Sequence, residues 1–211
     1  MAVERDSGPD GDLIERLVER EVLHSGNYVT FARDTIESAD GKRHTREVVV
    51  HPGAVTVMAV LSDASVLLVR QYRHAAGEVL LELPAGTLDR KPDGSIEDPF
   101  EAARRELMEE TGHRAAKWRR LAEFWTAPGF ASELMHLYLA TDLAADPDYE
   151  GPAEDERLQL VVMPFAELVA RAERGEVRDA KTLVGIYAAA DLARAGKLPE
   201  LAVALGGPTA S

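Results

Sequence analysis

One stretch constrains the fold more than any other. Residues 98–112 form a helix with both ends written into the sequence, set among short runs of β character. Asp98 offers an N-cap carboxylate, and Pro99 occupies the first helical position, where a missing N–H costs nothing. Glu101 stands three residues after the cap, completing a capping-box start. Gly112 is the residue that can turn left-handed at the other end, so the spacing predicts a helix from Pro99 to about Thr111. Around it, residues 54–61, 65–72, 79–83, 121–126, 134–140 and 158–163 are aliphatic or β-branched runs. Asp63-Ala64, Gly77 and Pro84-Ala85-Gly86 interrupt them, so they read as strands. Residues 165–174 and 181–195 are alanine-rich, helical in pattern, and closed by Gly175 and Gly196. One helix amid strands with two at the end does not alternate as βαβα, and the expectation is a mixed-sheet α/β sandwich.

The N-terminal part reads differently. Residues 1–12 are polar and expected to be a flexible tail, and residues 13–50 are expected to be a β-rich dimerisation region. Within 14–23 the apolar positions Ile14, Leu17, Val18 and Val22 recur at helical spacing, and a strand fits as well. Runs 28–36 and 46–50 flank Ser38-Ala39-Asp40-Gly41-Lys42, whose Asp-Gly pair signals a β-hairpin. The main domain is expected over residues 51–211, including the C-terminal helices. No repeat or low-complexity tract marks a further boundary.

Composition excludes several classes. With no cysteine there is no disulfide, thiolate nucleophile or cysteine-ligated zinc, which suits a reducing compartment. The first residues lack the pattern of a signal peptide and no apolar run reaches membrane-spanning length, so a cytoplasmic protein is expected. A formal charge of −13 repels nucleic acid and anionic lipid. It also opposes an anionic small substrate, so a phosphate site must collect its own cations.

Those cations are foreshadowed by Arg105-Glu106-Leu107-Met108-Glu109-Glu110-Thr111-Gly112. On a helix, Glu106 neighbours both Glu109 and Glu110, and like charges at this spacing oppose the helix by about 0.2–0.5 kcal/mol per pair. Arg104 and Arg105 relieve that repulsion if the face is merely solvated. A bound hard cation relieves it if the face is a site, because clustered carboxylates without His or Cys suit Mg²⁺ with its waters and phosphate ligands. Upstream, Pro84-Ala85-Gly86 places a tight loop whose backbone carbonyl can add a ligand.

Glu97, seven intervening residues, Arg105-Glu106-Leu107, one residue, Glu109-Glu110, one residue and Gly112 resemble the second part of the Nudix box, with Gly86 similar to its opening glycine. Ten residues separate Gly86 from Glu97, where the family pattern usually has five, so the connecting loop is lengthened. His113 stands where the pattern prefers an aliphatic residue. The resemblance implies a Nudix-type α/β/α sandwich with an N-terminal β-hairpin extension. It implies Glu106, Glu109, Glu110 and the Ala85 carbonyl as ligands of Mg²⁺ (or Mn²⁺), with Arg105 orienting the glutamates. Glu97 is either structural or in the outer shell of the metal.

Outside the box, Thr126-Ala127-Pro128-Gly129-Phe130 resembles the Ser-Pro-Gly marker of the ADP-ribose pyrophosphatase branch, with Ala127 in place of serine. Gln71-Tyr72-Arg73-His74 and Leu81-Glu82-Leu83-Pro84-Ala85-Gly86 are similar to that branch in order and spacing. The implied activity is hydrolysis of ADP-ribose to AMP and ribose 5-phosphate. Arg46 and Arg73 are candidates for phosphate, as guanidinium groups pair bidentately with its oxygens. Tyr28 is either a stacking platform for the base or strand packing, and Glu82 and Glu133 are candidate substrate contacts. Glu156, or else Glu154, supplies the general base from an acidic loop. The resemblance also implies a homodimer in which the N-terminal hairpin and Tyr28 reach the partner's site. Competing readings are a pyrophosphatase for GDP-mannose or UDP-glucose, a ligand-sensing domain without turnover, and an enzyme directed at nucleic acid, which the acidic surface opposes.

Overall fold

The computed structural model describes residues 10–152 and 157–205. The chain divides into two compact units, one formed by Met1–Pro52 with Ala127–Glu133 and the other by Gly53–Thr126 with Leu134–Ser211.

In the first unit, β1 (Arg16–Ser25), β2 (Thr30–Glu37) and β3 (Arg43–Val50) form an antiparallel sheet in that order. The ambiguous residues 14–23 are therefore strand from Arg16 onward. A register shift between Leu17 and Glu19, at Val18, accounts for the adjacent apolar pair Leu17-Val18, and a second shift lies between Val22 and His24. Each bulge advances the inside-outside alternation by one residue, so a strand carries apolar residues at helix-like intervals. The β2–β3 turn is the expected hairpin: Gly41 has φ +80°, and the Ser38 N–H donates to the Lys42 carbonyl at 2.9 Å. Hydrogen bonds from Lys42 and Ser38 hold the Asp40 carboxyl at a pKa of about 2. Segment 127–133, expected in the main domain, joins this unit along β3, with Val49 N–H donating to the Phe130 carbonyl at 2.7 Å.

The second unit contains strands β4 (Ala54–Val60), β5 (Ser65–Arg73), β6 (Glu78–Glu82), β7 (Ala85–Thr87), β8 (His113–Trp125), β9 (Leu134–Ala145) and β10 (Leu158–Pro164). Its helices are α1 (Pro99–Thr111), α2 (Phe165–Glu173), α3 (Ala180–Arg194) and the single-turn α4 (Pro199–Ala202). The sheet order is β10-β5-β4-β9-β8, with β6 on β5 and β7 on β4. The β4–β9 pair is parallel and the other pairs are antiparallel, giving the expected mixed sheet.

β4 is buried along its whole length, and its side chains sort by pleat. Val55, Val57 and Ala59 pack with Ala102, Ala103 and Leu107 of α1. Met58 and Val60 pack with Phe165, Leu168 and Ile186 of α2 and α3. Period-two alternation across a strand buried on both faces thus produces the α/β/α layering. Among the described residues no helix is long and apolar enough to cross a membrane.

Two local expectations are corrected. Residues 85–87 are a strand and not a loop: Ala85, Gly86 and Thr87 pair with Thr56, Val55 and Ala54. β8 starts at His113, eight residues earlier than its apolar run suggested, because pairing with β9 carries the charged segment Arg114–Arg120 into the sheet.

Candidate active site

α1 delivers the acidic residues. At its start, the Asp98 carboxylate accepts from the N–H groups of Phe100 and Glu101 at 2.9 and 3.2 Å, while the Glu101 side chain pairs with Arg104. At its end, Gly112 has φ +67° and donates to the Met108 carbonyl. Between these caps the helix phase is fixed, and Glu106 and Glu110, one turn apart, are both buried.

β7 lies against these two carboxylates. Ala85 N–H donates to Glu110 Oε2 at 3.0 Å. A Cβ on Gly86 would fall onto the Glu106 carboxylate, so only glycine lets the strand approach so closely. Glu109 is exposed on the same helix.

Arg105 is the centre of the cluster. Its Nε and Nη2 grip the two oxygens of Glu97 at 3.2 and 2.8 Å. Nη1 bridges Glu106 at 2.7 Å and Glu109 at 2.9 Å, and Nη2 also donates to the Thr87 carbonyl at 3.3 Å. Hydrogen bonding by Glu97 raises the guanidinium pKa further above its ordinary value, while Arg105 holds the Glu97 carboxyl below the usual range.

The lengthened loop is absorbed before Glu97. Residues 91–95 close a tight turn in which Lys91 N–H donates to the Ser95 carbonyl and Asp93 accepts from Ser95, and an Arg90–Ile96 bridge pinches its base. Glu97 N–H then donates to the Asp89 carbonyl at 2.8 Å, so the extra residues bulge outward and Glu97 still meets Arg105.

Among the described residues no three acidic or histidine side chains already converge as a metal cage. Present beside the β7 backbone are two buried carboxylates, Glu106 and Glu110, with Glu109 exposed on the same helix. That set suits a hard divalent cation, which shares its coordination with water and substrate phosphates. Glu106 approaches Gly86, and Glu110 accepts from the Ala85 N–H.

A second ionic cluster lies at the end of β6. Arg73 binds Glu82 through two parallel hydrogen bonds, Nε to Oε1 at 2.7 Å and Nη2 to Oε2 at 2.6 Å. Lys181, at the start of α3, also bonds Glu82 and reaches Asp179 Oδ1 at 2.9 Å. The Glu82 side chain has no exposed surface. Burial pushes its pKa up, but Arg73 and Lys181 outweigh burial and the carboxyl lies below its ordinary value. Glu82, a substrate-contact candidate in the sequence, thus has both oxygens bonded to these cations.

Arg73 has its pKa raised, chiefly by Glu82 and in smaller part by the charges of Asp179 and Glu110. Lys181, Asp179 and Thr182 were not singled out as site residues. The N-cap signature of Asp179 was legible, but nothing local pointed to Glu82, 99 residues from Lys181.

Tyr28, Arg46 and Glu133 belong to the N-terminal unit. Tyr28 sits in the β1–β2 turn, exposed, and not on a strand. Arg46 forks onto Glu15, and Glu133 stands 3.6 Å from His51. Glu154 and Glu156 lie outside the described residues.

Comparison with known proteins decides the family, for the NUDIX domain profile matches residues 51–184. This chain belongs to the Nudix family. Among its relatives, an ADP-ribose pyrophosphatase of Mycobacterium tuberculosis is 38% identical over 81% of this chain and 81% of its own. A GDP-mannose pyrophosphatase of Cronobacter sakazakii is 34% identical over 80% of this chain and 91% of its own. A solved structure described as an ADP compounds hydrolase shares the fold, with a TM-score of 0.71 at 24% identity over 87% of this chain and 96% of that one. Nudix hydrolases generally depend on a divalent cation.

Proposed function

We propose that this Nudix enzyme hydrolyses the diphosphate bond of ADP-ribose, giving AMP and ribose 5-phosphate, with Mg²⁺ as its working cation and Mn²⁺ as a substitute. The observation that carries this is the junction of α1 and β7, where buried Glu106 and Glu110 meet a closely approaching backbone. Similarity to an ADP-ribose pyrophosphatase over four-fifths of both chains supports the substrate.

Glu106, Glu110, Glu109 and the Ala85 carbonyl would hold the metal, which when bound neutralises diphosphate charge and acidifies a water. Arg105 fixes the rotamers of Glu106 and Glu109 by bridging them. Arg73 offers Nη1, the guanidinium nitrogen not used by Glu82, to a phosphate oxygen, and Glu82 orients that guanidinium from behind. Glu156, or Glu154 in its place, takes the proton of the attacking water.

Tyr28, Arg46 and Glu133 retain substrate-binding roles in this proposal on the strength of the family resemblance. So do the homodimer and the cytoplasmic location. The exposed apolar residues Leu17, Val22 and Leu23 on β1 support pairing with a second copy.

A panel of ADP-ribose, GDP-mannose and UDP-glucose, assayed with Mg²⁺ and with ¹⁸O-water to follow the cleaved bond, tests the reading. ADP-ribose should give the highest kcat/KM, with label in one of the two monophosphates. A higher kcat/KM for GDP-mannose would shift the assignment to the activity named for the Cronobacter relative. Binding without turnover of any of the three would return the chain to a ligand-sensing role.

A further inference from the structure

The short connection between β6 and β7 is held from three directions. The Asp179 carboxylate accepts from Thr182 N–H at 2.9 Å and from Thr182 Oγ1 at 2.6 Å, and the same Oγ1 accepts from Leu83 N–H at 2.8 Å. An ionised carboxylate only accepts, so the Thr182 hydroxyl proton points to Asp179 and its lone pair to Leu83. Thr182 is fully buried. One turn along α3, a Cβ on Gly185 would come within 2.5 Å of Leu83 Cδ1 and 3.4 Å of Met58 Cε. α3 therefore fixes Leu83 by its backbone and by its side chain.

The next two residues are fixed by other elements. The Pro84 carbonyl accepts from Thr56 Oγ1 at 3.1 Å and from Val57 N–H at 2.9 Å. Ala85 N–H donates to Glu110. Docking of α3 does not require a buried polar bond, because Ile186, Ala189, Ala190 and Ala193 already seat it in the apolar core. The relay to Leu83 ends two residues from the backbone that meets Glu110.

We propose that the Asp179–Thr182 relay is a positioning device that sets the divalent-metal affinity of the α1–β7 site by fixing the Leu83–Ala85 backbone against Glu110. Thr182 and Asp179 touch neither metal nor substrate; they act through Leu83. The inference rests on the metal reading given under Proposed function.

Mn²⁺ binding to the intact protein without substrate, followed by electron paramagnetic resonance, tests it alongside steady-state kinetics. Thr182→Val keeps the shape and removes the relay, and should weaken Mn²⁺ binding roughly 10-fold, as loss of an outer-shell partner does. At saturating metal its KM for ADP-ribose should stay within about twofold of wild type, since the substrate contacts are intact. Thr182→Ser restores the hydroxyl and should restore metal affinity. Wild-type Mn²⁺ affinity in Thr182→Val overturns the proposal, even if its Tm falls. Should Thr182→Val fail to fold, Gly185→Ala displaces Leu83 without touching the relay, and unchanged Mn²⁺ affinity there overturns it equally. Glu110→Gln is the control: if it loses Mn²⁺ while Thr182→Val keeps it, the relay alone is wrong. If Glu110→Gln also keeps Mn²⁺, the metal site itself is wrong and the relay falls with it.

Discussion

Two clusters in the second unit are made of the same parts, guanidinium on carboxylate, and differ in charge balance. Around Glu82, two cations, Arg73 and Lys181, meet two carboxylates, Glu82 and Asp179, and the central one is sealed from water. Around Arg105, one guanidinium is shared by Glu97, Glu106 and Glu109, with Glu110 a turn away and accepting from the Ala85 N–H. A balanced buried cluster is a scaffold, since removing any member leaves a partner charge uncompensated. An anionic cluster at a helix face stores repulsion that a further cation relieves. The difference teaches which ion pairs to read as structure and which as a site.

The comparison is broken most forcefully at Glu110. Glu110→Gln keeps an oxygen to accept from Ala85 N–H and removes the charge. It should therefore lower kcat by roughly 10³-fold, the several kcal/mol of transition-state stabilisation a bound cation supplies, with little change in Tm. Turnover near wild type at saturating Mg²⁺ would make the anionic cluster a surface feature.

Glu82→Gln should do the opposite. It leaves Arg73 and Lys181 without their shared anion, and because Arg73 is partly exposed the loss should be about 3 kcal/mol, toward the lower end for a broken buried pair. Its pKa is depressed in the folded state, so its stabilisation is full above the ordinary glutamate range and is lost as pH falls through the folded value. In urea unfolding, the gap between wild type and Glu82→Gln should therefore narrow on acidification below about pH 4.5. A gap that widens on acidification would contradict the assignment of Glu82 as an ionised anchor.

Metal addition separates the clusters without any substitution. Mg²⁺ at about 100 times its Kd should stabilise the wild type by about 2.7 kcal/mol, roughly 5–10 °C in Tm for a chain of this size. Glu110→Gln should lose that increment, whereas Glu82→Gln should show it from a lower starting Tm. Equal responses in both variants would erase the distinction between scaffold and site.

What the sequence revealed follows the range of the interaction. α1 was legible to the residue because its caps are local, and the juxtaposition of Glu106 and Glu110 followed from helix geometry alone. The strand Ala85–Thr87 was not legible, since a Pro-Ala-Gly tripeptide has turn character and β4 imposes its extended form through pairing. The first half of β8 was hidden by Arg114, Lys117, Arg119 and Arg120, which are exposed on a long hairpin whose stability comes from β9. Glu82 matched the family in order and spacing, yet its burial between Arg73 and Lys181 depends on a helix far along the chain. The bidentate bond of Arg73, a phosphate candidate, to Glu82 was hidden for a similar reason: it joins two strands.

The smallest expected effect sharpens the boundary inside the anionic cluster. Glu97 is half-buried, holds Arg105 through two hydrogen bonds, and accepts from Asp89 N–H, so its partners are the guanidinium and its own loop. Glu97→Gln should cost about 1 kcal/mol of stability, less than a buried pair, because Arg105 keeps Glu106, Glu109 and the Thr87 carbonyl as partners. The Glu97 pKa is held down by Arg105, so this contribution too is present above the ordinary glutamate range and fades as pH falls through the folded value. If Glu97 is an anchor for Arg105, the variant should bind Mn²⁺ within a few-fold of wild type and lose roughly 10-fold in kcat through a less firmly oriented Glu106. If it loses metal as completely as Glu110→Gln, Glu97 is itself a ligand, and the line between scaffold and site must be redrawn to put it on the metal's side.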